Sequence, residues 1–200
     1  MKHGADAEQT QSLALYFDFA MPECYFAYRL AAEYARAKGM RIEFFPVLLG
    51  ARGNASGRRE PLDRKSLQRR CEEFAVSRRL GRFQFNSSFP FSSLIMMRGA
   101  AAAITLGIAD QYVGAVFRGA WEERREIERG EEFAAALRGG GIAPEIISGH
   151  LSTPQTRHDL IASTQRFREI GASCLPAIYV AGSLVEGFAR LSAAFPVCTA

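Results

Sequence analysis

The sequence lacks the features of several protein classes. It contains no run of about 18 apolar residues, which is near the length that a membrane-spanning helix needs. The polar segment Met1–Ser12 has no apolar stretch after a basic one, so it does not resemble an export signal. No two cysteines form a C-x-x-C pair among Cys24, Cys71, Cys174 and Cys198, which leaves no recognisable zinc site. These absences predict a cytoplasmic protein with reduced thiols, no metal and no membrane partner.

The composition is that of an ordinary globular protein, with 48% apolar and 23% charged residues in a chain of 200. This length fits one domain, or a small core that carries a large insertion. The net charge of +4 arises from arginines clustered between Arg58 and Arg82. Arg69 and Glu73 are four residues apart, a spacing typical of a solvated helix face. We therefore expect no nucleic-acid partner.

The first part of the chain has the pattern of a strand, a helix and a second strand. The aromatic-rich run Leu13–Phe19 predicts a buried strand. Glu23–Lys38 has apolar residues at spacings of three and four and is followed by Gly39, which predicts a helix that ends there. Met40–Phe45 predicts another strand. Because a helix joins them, the two strands are expected to be parallel.

The middle of the chain is predicted to be helical and the end returns to strands. Predicted helices cover Asp63–Leu80, Ser92–Leu106, Ala109–Trp121 with a continuation toward Arg129, Glu131–Leu137 and Pro154–Ile170. Two strands, Ala177–Val180 and Leu184–Glu186, are separated by a short turn and predict a hairpin. A final helix is expected over Phe188–Phe195.

This order of elements is similar to the DsbA-like branch of thioredoxin folds. The fold class is therefore predicted to be α/β, with a thioredoxin-like core (β-α-β … β-β-α) and a large all-helical insertion. The core is expected to comprise residues 13–62 and 172–196, and the insertion residues 63–171. Residues 1–12 are expected to form a flexible N-terminal tail.

Several segments strengthen the resemblance when they are taken in order. They are Tyr16–Ala27, Phe45–Gly50, Phe89–Leu94, Gly171–Val180 and Gly187–Leu191. Together they resemble the 2-hydroxychromene-2-carboxylate isomerases and the kappa-class glutathione transferases, over most of the chain from Leu13 to Phe195.

The resemblance implies an isomerase that uses glutathione, acts on an aromatic or bicyclic acid and forms a homodimer. In the family, glutathione lies across the start of the first helix and the loop before a cis-proline. A helix start favours a thiolate, and the extended loop can pair with a peptide-like ligand. The residues implied to bind the cofactor are Pro22, Arg58, Leu175, Pro176, Phe188 and Ala189, with Pro176 expected to be cis.

The sequence departs from the family pattern at its most important position. Met21 stands where the family has a serine that holds the glutathione sulfur, and a thioether cannot donate a hydrogen bond. Arg58 replaces a usual asparagine, and Phe188-Ala189 replaces polar residues that would hold the γ-glutamyl end. The candidate catalytic residues are therefore Met21, by position, and Cys24.

Three functions stay open at this point. The first is the isomerase with an altered site. The second is a DsbA-like thiol redox or glutathione transferase activity through Cys24, which lies either in a reactive position at the helix start or in the core. The third is a degenerate family member without catalysis. A disulfide between Cys24 and Cys174 would require α-carbons roughly 4.4–6.8 Å apart and is the less expected state.

Other residues near these motifs also have two interpretations. Phe19, Phe85 and Phe89 are candidates to line a pocket for a small aromatic substrate, or to pack the insertion against the core. Asp18 is either a carboxylate that faces the helix start or an ordinary strand-end residue. Glu23 is either a base near the pocket or a residue that favours the helix start through the dipole.

Overall fold

The computed structural model describes residues 11–49 and 63–195. The strands are β1 (Ser12–Phe17), β2 (Arg41–Pro46), β3 (Ala177–Val180) and β4 (Ser183–Glu186). The helices are α1 (Pro22–Lys38), α2 (Arg64–Ser77), α3 (Leu94–Thr105), α4 (Ala109–Trp121), α5 (Gly130–Gly139), α6 (Pro144–Ser148), α7 (Pro154–Glu169) and α8 (Phe188–Ala194). In this described part, no helix is both long and apolar enough to cross a membrane.

The strands form one sheet in the order β2-β1-β3-β4. β1 runs parallel to β2 and antiparallel to β3, and β3 pairs antiparallel with β4. The central strand β1 is covered on both faces, and the side chains of Leu13, Leu15 and Phe17 are fully buried. The parallel β1–α1–β2 unit and the terminal hairpin confirm the predicted α/β fold class.

Helix α1 begins and ends where its sequence predicts. Pro22 occupies the first turn, where its missing N–H costs no hydrogen bond. Gly39 closes the helix in the left-handed conformation, with φ of 63°, and its N–H donates to Arg36. This places the start of α1 directly after β1, at the edge of the sheet where the site lies.

Helices α2 to α7 occupy the chain between β2 and β3, with two differences from prediction. Helix α4 ends at Trp121 and does not continue toward Arg129. The cause is the buried Asn86, whose amide donates to the carbonyls of Ala120 at 2.8 Å and Arg125 at 2.9 Å and so diverts the chain into turns. The second difference is α6, a short helix that begins at Pro144 and was not predicted.

The boundaries of the predicted domains are described in part. β1 begins at Ser12, one residue inside the predicted tail, while residues 1–10 and 50–62 lie outside the described part. The division at residue 62 therefore stays a prediction. One hydrophobic core includes side chains from the sheet and from the helical segment, so the two parts share their interior.

Aromatic rings join the sheet to the helical segment beneath the site. The Phe117 ring lies 4.8 Å from Phe19 and 5.7 Å from Phe17, measured between centroids. The buried Trp121 indole donates to the Phe19 carbonyl at 2.9 Å. These contacts fix the end of β1 against α4, so the turn that follows β1 has a rigid support.

Candidate functional site

The turn between β1 and α1 is closed by its own hydrogen bonds. One carboxylate oxygen of Asp18 accepts the N–H of Ala20 at 2.8 Å. The N–H of Met21 donates to the Asp18 carbonyl at 3.2 Å, and Met21 is the N-cap residue of α1. Met21 offers no side-chain hydrogen bond to the helix. The turn therefore presents a carboxylate and a thioether side by side.

The loop before β3 lies opposite this turn. The Leu175–Pro176 peptide bond is cis, as expected from the sequence. Glu186 of β4 holds the loop: its carboxylate accepts the Ser173 N–H at 2.6 Å, the Ser173 hydroxyl at 2.9 Å and the Cys174 N–H at 3.3 Å. The loop that carries Leu175 is thereby fixed in position.

Burial by itself raises the pKa of Glu186, but other contacts outweigh it. The hydrogen bonds from Ser173 and Cys174, together with the charge of Arg190, hold the pKa of this carboxyl below its ordinary value. Glu186 is therefore ionised at neutral pH, which strengthens each of its hydrogen bonds to the loop.

The helical segment contributes the third side of the site through the residues before and at the start of α3. Ser93 is the N-cap residue of α3, but its side chain does not cap the helix. Its buried side chain instead lines the same cavity as the Asp18 carboxyl and helps to lower the pKa of that group. A serine that would normally satisfy its own helix is therefore directed at the strand end of the sheet.

The segment after β2 supplies the fourth side. The Leu48 N–H donates to the Thr164 hydroxyl at 3.1 Å, and that hydroxyl donates to the Leu160 carbonyl at 3.0 Å. Helix α7 thus holds the main chain at Leu48, and the side chains of Leu48 and Leu49 face the cavity.

These four segments enclose what we call the site cavity, with a volume of about 590 Å³. It is lined by Asp18, Ala20, Met21, Leu48, Leu49, Phe91, Ser92, Ser93, Leu94 and Leu175. Among these described lining residues, Asp18 is the only titratable group. The cavity can therefore hold an apolar body beside one carboxyl group and two hydroxyl groups.

Asp18 has an unusual electrostatic setting. Burial raises the pKa of its carboxyl, and the hydrogen bonds from Ser93 and from the Ala20 N–H offset part of that rise. Desolvation disfavours the charged form, so the group holds a proton more readily than an exposed aspartate does. A perturbed carboxyl in a cavity is a candidate for proton transfer.

The comparisons with known proteins agree with this geometry. A family model described as a DSBA-like thioredoxin domain matches residues 12–194. The chain belongs to the DSBA-like thioredoxin family. No curated protein matches the sequence significantly.

Solved structures share the fold of this DSBA-like chain. A 2-hydroxychromene-2-carboxylate isomerase has a TM-score of 0.77 at 21% identity, with 90% of each chain covered. The cytosolic disulfide reductase DsbM from Pseudomonas aeruginosa, solved with GSH, has a TM-score of 0.64 at 18% identity, covering 86% of this chain and 87% of that one. The oxidoreductase DsbA from Xylella fastidiosa has a TM-score of 0.53 at 18% identity, covering 94% and 83%.

The second catalytic candidate, Cys24, is not placed for reaction in this DSBA-like structure. Its side chain is fully buried, and its sulfur accepts the Asp18 N–H at 3.4 Å. Burial is the main cause that raises the pKa of the thiol well above its ordinary value, and the charges of Asp18 and Glu23 raise it further. The catalytic assignment of Cys24 is therefore corrected to a core thiol. Cys24, Cys71 and Cys174 are all free.

Of the two interpretations of Phe19, Phe85 and Phe89, the structure supports core packing. All three rings are buried, and none lines the site cavity. Phe85 and Phe89 pack against each other and against Trp121, at centroid distances of 5.3 to 6.0 Å. Their neighbour Phe91 does line the cavity. The cluster therefore supports the cavity wall through one ring, Phe91, which is itself largely buried.

The residues predicted to bind the cofactor lie at different places in the structure. Leu175 lines the site cavity, while the buried Pro22 and Pro176 form the frame on either side of it. Phe188 is corrected to a packing residue, because its ring lies 5.6 Å from Phe26 and 4.5 Å from Phe74. Ala189 is exposed on α8 and is not among the lining residues of the cavity. Arg58 lies outside the described residues.

The main chain at Leu175 suits a peptide-like ligand, since within the described residues its N–H and C=O make no hydrogen bond. The start of α1 suits a thiolate less well. The Glu23 carboxylate accepts its own backbone N–H there and lies 3.8 Å from Arg70. The residues present therefore fit a glutathione main chain at Leu175 but not a resident thiolate beside Met21.

Two functional residues, Ser93 and Glu186, escaped the sequence analysis. Ser93 was placed inside a predicted helix that began at Ser92, although a Ser-Ser pair before an apolar run is a typical N-cap signal. Glu186 was treated only as the last residue of a strand. No local pattern reveals that its carboxylate reaches a loop 13 residues earlier.

Proposed function

We propose that this protein is an isomerase of aromatic or bicyclic acids that uses glutathione and transfers a proton through Asp18. The observation that carries the proposal is the Asp18–Ser93 pair in the site cavity, beside the cis-proline loop and at the place where the family serine is missing. The hydroxyl lost at Met21 is replaced by a hydrogen-bonded carboxyl that the opposite wall orients.

Glutathione, when bound, supplies a thiol that adds reversibly to a conjugated double bond and so allows that bond to rotate. Asp18 accepts a proton at its carboxylate and returns it in the reverse direction. A general base works best when its pKa approaches that of its partner, and a free thiol has a pKa near 8.5. The raised pKa of Asp18 therefore makes it a stronger base than an exposed aspartate.

The rest of the cavity orients Asp18 and limits water. The Ala20 N–H holds the carboxyl through a hydrogen bond of 2.8 Å, and Ser93 lowers its pKa from the opposite wall. Leu48, Leu49 and Phe91 cover it with apolar surface, which strengthens electrostatic interactions inside the cavity. The cytoplasmic location, the homodimer and the absence of a nucleic-acid partner remain parts of this proposal.

The redox alternative receives less support from the geometry. Among the described residues that line the site cavity there is no cysteine, and the buried Cys24 has a raised pKa. A thiolate is the reactive form of cysteine, so a buried thiol with a raised pKa is a poor nucleophile.

The test pairs calorimetry with an activity assay. Glutathione is titrated into the wild type and into Asp18→Asn, and isomerisation of 2-hydroxychromene-2-carboxylate is followed by ultraviolet absorbance. We expect both proteins to bind glutathione, and the variant to lose about 100-fold or more in kcat/KM, as removal of a general base does. The control is Asp110→Asn, because burial also raises the pKa of that carboxyl, outside the cavity.

Two results would contradict the proposal. One is full activity in Asp18→Asn. The other is the absence of heat with millimolar glutathione together with no isomerisation by the wild type, which favours a degenerate, non-catalytic family member.

A further inference from the structure

A second groove adjoins the site cavity on the helical side. We call it the arginine groove; it has a volume of about 370 Å³ and lies between α3 and α7. It is lined by Leu48, Leu94, Arg98, Arg157, Leu160, Ile161, Thr164, Gln165 and Arg168. Leu48 and Leu94 also line the site cavity, so the two spaces meet at these side chains.

The arginines of the groove lie on the faces that the two helices turn toward each other. On α7, the positions 157, 161, 164 and 168 recur every three or four residues and share one face. On α3, Leu94 and Arg98 are four residues apart. Arg166, also on α7, points elsewhere, and its guanidinium lies 4.8 Å above the Phe45 ring. Three arginines therefore border this one groove, while Arg166 of the same helix does not.

Among the described residues, no acidic side chain pairs with the arginines of the groove. No acidic residue is among its described lining residues. Within the described part of the chain, the guanidinium groups of Arg98, Arg157 and Arg168 appear in no ion pair and no side-chain hydrogen bond. The two acids of α7 accept hydrogen bonds from glutamines: Asp159 from Gln155 at 2.7 Å and Glu169 from Gln165 at 2.9 Å. Unpaired guanidinium groups attract an anion that can accept several hydrogen bonds.

The groove also contains apolar side chains, so its ligand is expected to have an apolar part as well as a negative charge. Leu94 is 39% exposed and Ile161 is 60% exposed, both high for side chains of their type. A small inorganic anion would leave these surfaces in water. An acid with an apolar ring system would cover them and place its carboxylate on the arginines.

We propose that the arginine groove binds the carboxylate of an aromatic acid whose ring system extends past Leu48 and Leu94 into the site cavity. This inference rests on the proposed function and adds to it the residues that select an acidic substrate. Arg98 and Arg168 provide the charge-assisted hydrogen bonds, and the shared leucines set the distance between the carboxylate and the atoms near Asp18.

The experiment compares two probes of nearly the same shape, 1-naphthoate and the neutral 1-naphthamide, by calorimetry on the full chain. We expect the wild type to bind the acid at least about 10-fold more tightly than the amide. The double variant Arg98→Gln/Arg168→Gln should weaken binding of the acid roughly 10-fold to 100-fold and leave the amide unchanged. Arg166→Gln is the matched control, because it removes one arginine from the same helix outside the groove.

Several results would overturn the inference. They are no binding of the acid by the wild type, equal binding of acid and amide, or an unchanged affinity for the acid in the double variant. A double variant that weakens glutathione binding instead would assign the groove to the cofactor and also overturn it. Thermal unfolding of each variant confirms that it is folded.

The inference and the proposed function fail in different ways. If the acid binds through the arginines but no isomerisation occurs, the groove assignment stands and the reaction is wrong. If isomerisation depends on Asp18 while the double variant binds the acid normally, the reaction stands and the groove assignment is wrong.

Discussion

The site cavity has two dissimilar walls. The wall from the sheet and α1 carries Asp18 and Met21, with Leu175 opposite beside the cis-proline. The wall from the helical segment carries Ser92 and Ser93. The sheet and α1 provide the frame of the site and the Asp18 carboxyl. The serine hydroxyls beside that carboxyl come from the helical segment.

This arrangement makes the chemistry dependent on how the two walls are held together. Here the pKa of the Asp18 carboxyl depends in part on Ser93, and Ser93 is held at the start of α3, which packs against α4 and β2. The variants below each remove a contact that holds or tunes the site, with effects of different size.

The largest effect is expected at Trp121, which joins the walls through its hydrogen bond to Phe19. Trp121→Ala should lower the free energy of unfolding by about 3–5 kcal/mol, because it removes a fully buried ring. Trp121→Phe keeps an aromatic ring but leaves the Phe19 carbonyl without its donor, and should cost about 1–3 kcal/mol. Urea unfolding measures both.

The control for this prediction is Tyr179→Ala, which removes an aromatic ring that is 39% exposed and should cost less than about 1 kcal/mol. If Trp121→Phe is as stable as the wild type, the indole hydrogen bond does not hold the walls together.

A smaller effect is expected at Glu186, which fixes the cis-proline loop. Glu186→Gln should cost about 1 kcal/mol at neutral pH, a modest value because the side chain is partly exposed to solvent. The native pKa of Glu186 is lowered, so its contribution is complete above the ordinary glutamate pKa of about 4.3 and is lost as the pH falls through the native value.

Urea unfolding of the wild type and Glu186→Gln across a range of pH tests this prediction. The difference between the two proteins should be largest at neutral pH and shrink in acid. A difference that stays constant to pH values well below 4 would show that the charge of Glu186 is not what holds the loop.

The smallest effect on stability is expected at Ser93. Ser93→Ala should change the free energy of unfolding by no more than about 1 kcal/mol, yet it should raise the pKa of Asp18, because it removes a hydrogen bond that lowers that pKa. Since Asp18 must be ionised to accept a proton, the acidic limb of the pH–rate profile should move to higher pH.

A carboxyl NMR titration gives the pKa of Asp18 independently of activity. Ser92→Ala is the matched control, because Ser92 lines the cavity but gives no contribution to the pKa of Asp18. If the pKa of Asp18 is the same in Ser93→Ala as in the wild type, Ser93 does not lower the pKa of this carboxyl.

The fold was largely predictable because its signals are local. The buried strand Leu13–Phe19 and the helix stop at Gly39 are determined by nearby residues, and the structure confirms them with shifts of one or two positions. The continuation of α4 beyond Trp121 was wrong, since the interruption is caused by Asn86, which is more than 30 residues away in sequence.

The candidate site was predictable only in its frame. Met21, Leu175 and the cis Pro176 were placed by resemblance, and the structure brings them to one end of the sheet. The contacts of Asp18 with Ser93 and of Glu186 with the loop could not be predicted, because each joins side chains that are distant in sequence. The burial of Phe85 and Phe89 was undecidable for a similar reason, since apolar rings fill both cores and pockets.

The carboxylate of Glu23 at the start of α1 has a consequence for chemical durability. In a site that stabilises a thiolate, the bound thiol is in its easily oxidised form even while no substrate is present. Here the Glu23 carboxyl lies beside the first turn of α1, 3.8 Å from Arg70. Burial raises the pKa of this carboxyl although Arg70 opposes the rise, and in its charged form it disfavours a second anion there. A thiol bound beside Met21 would stay protonated until Asp18 takes its proton, so the resting protein would resist peroxides better than a relative that stores a thiolate.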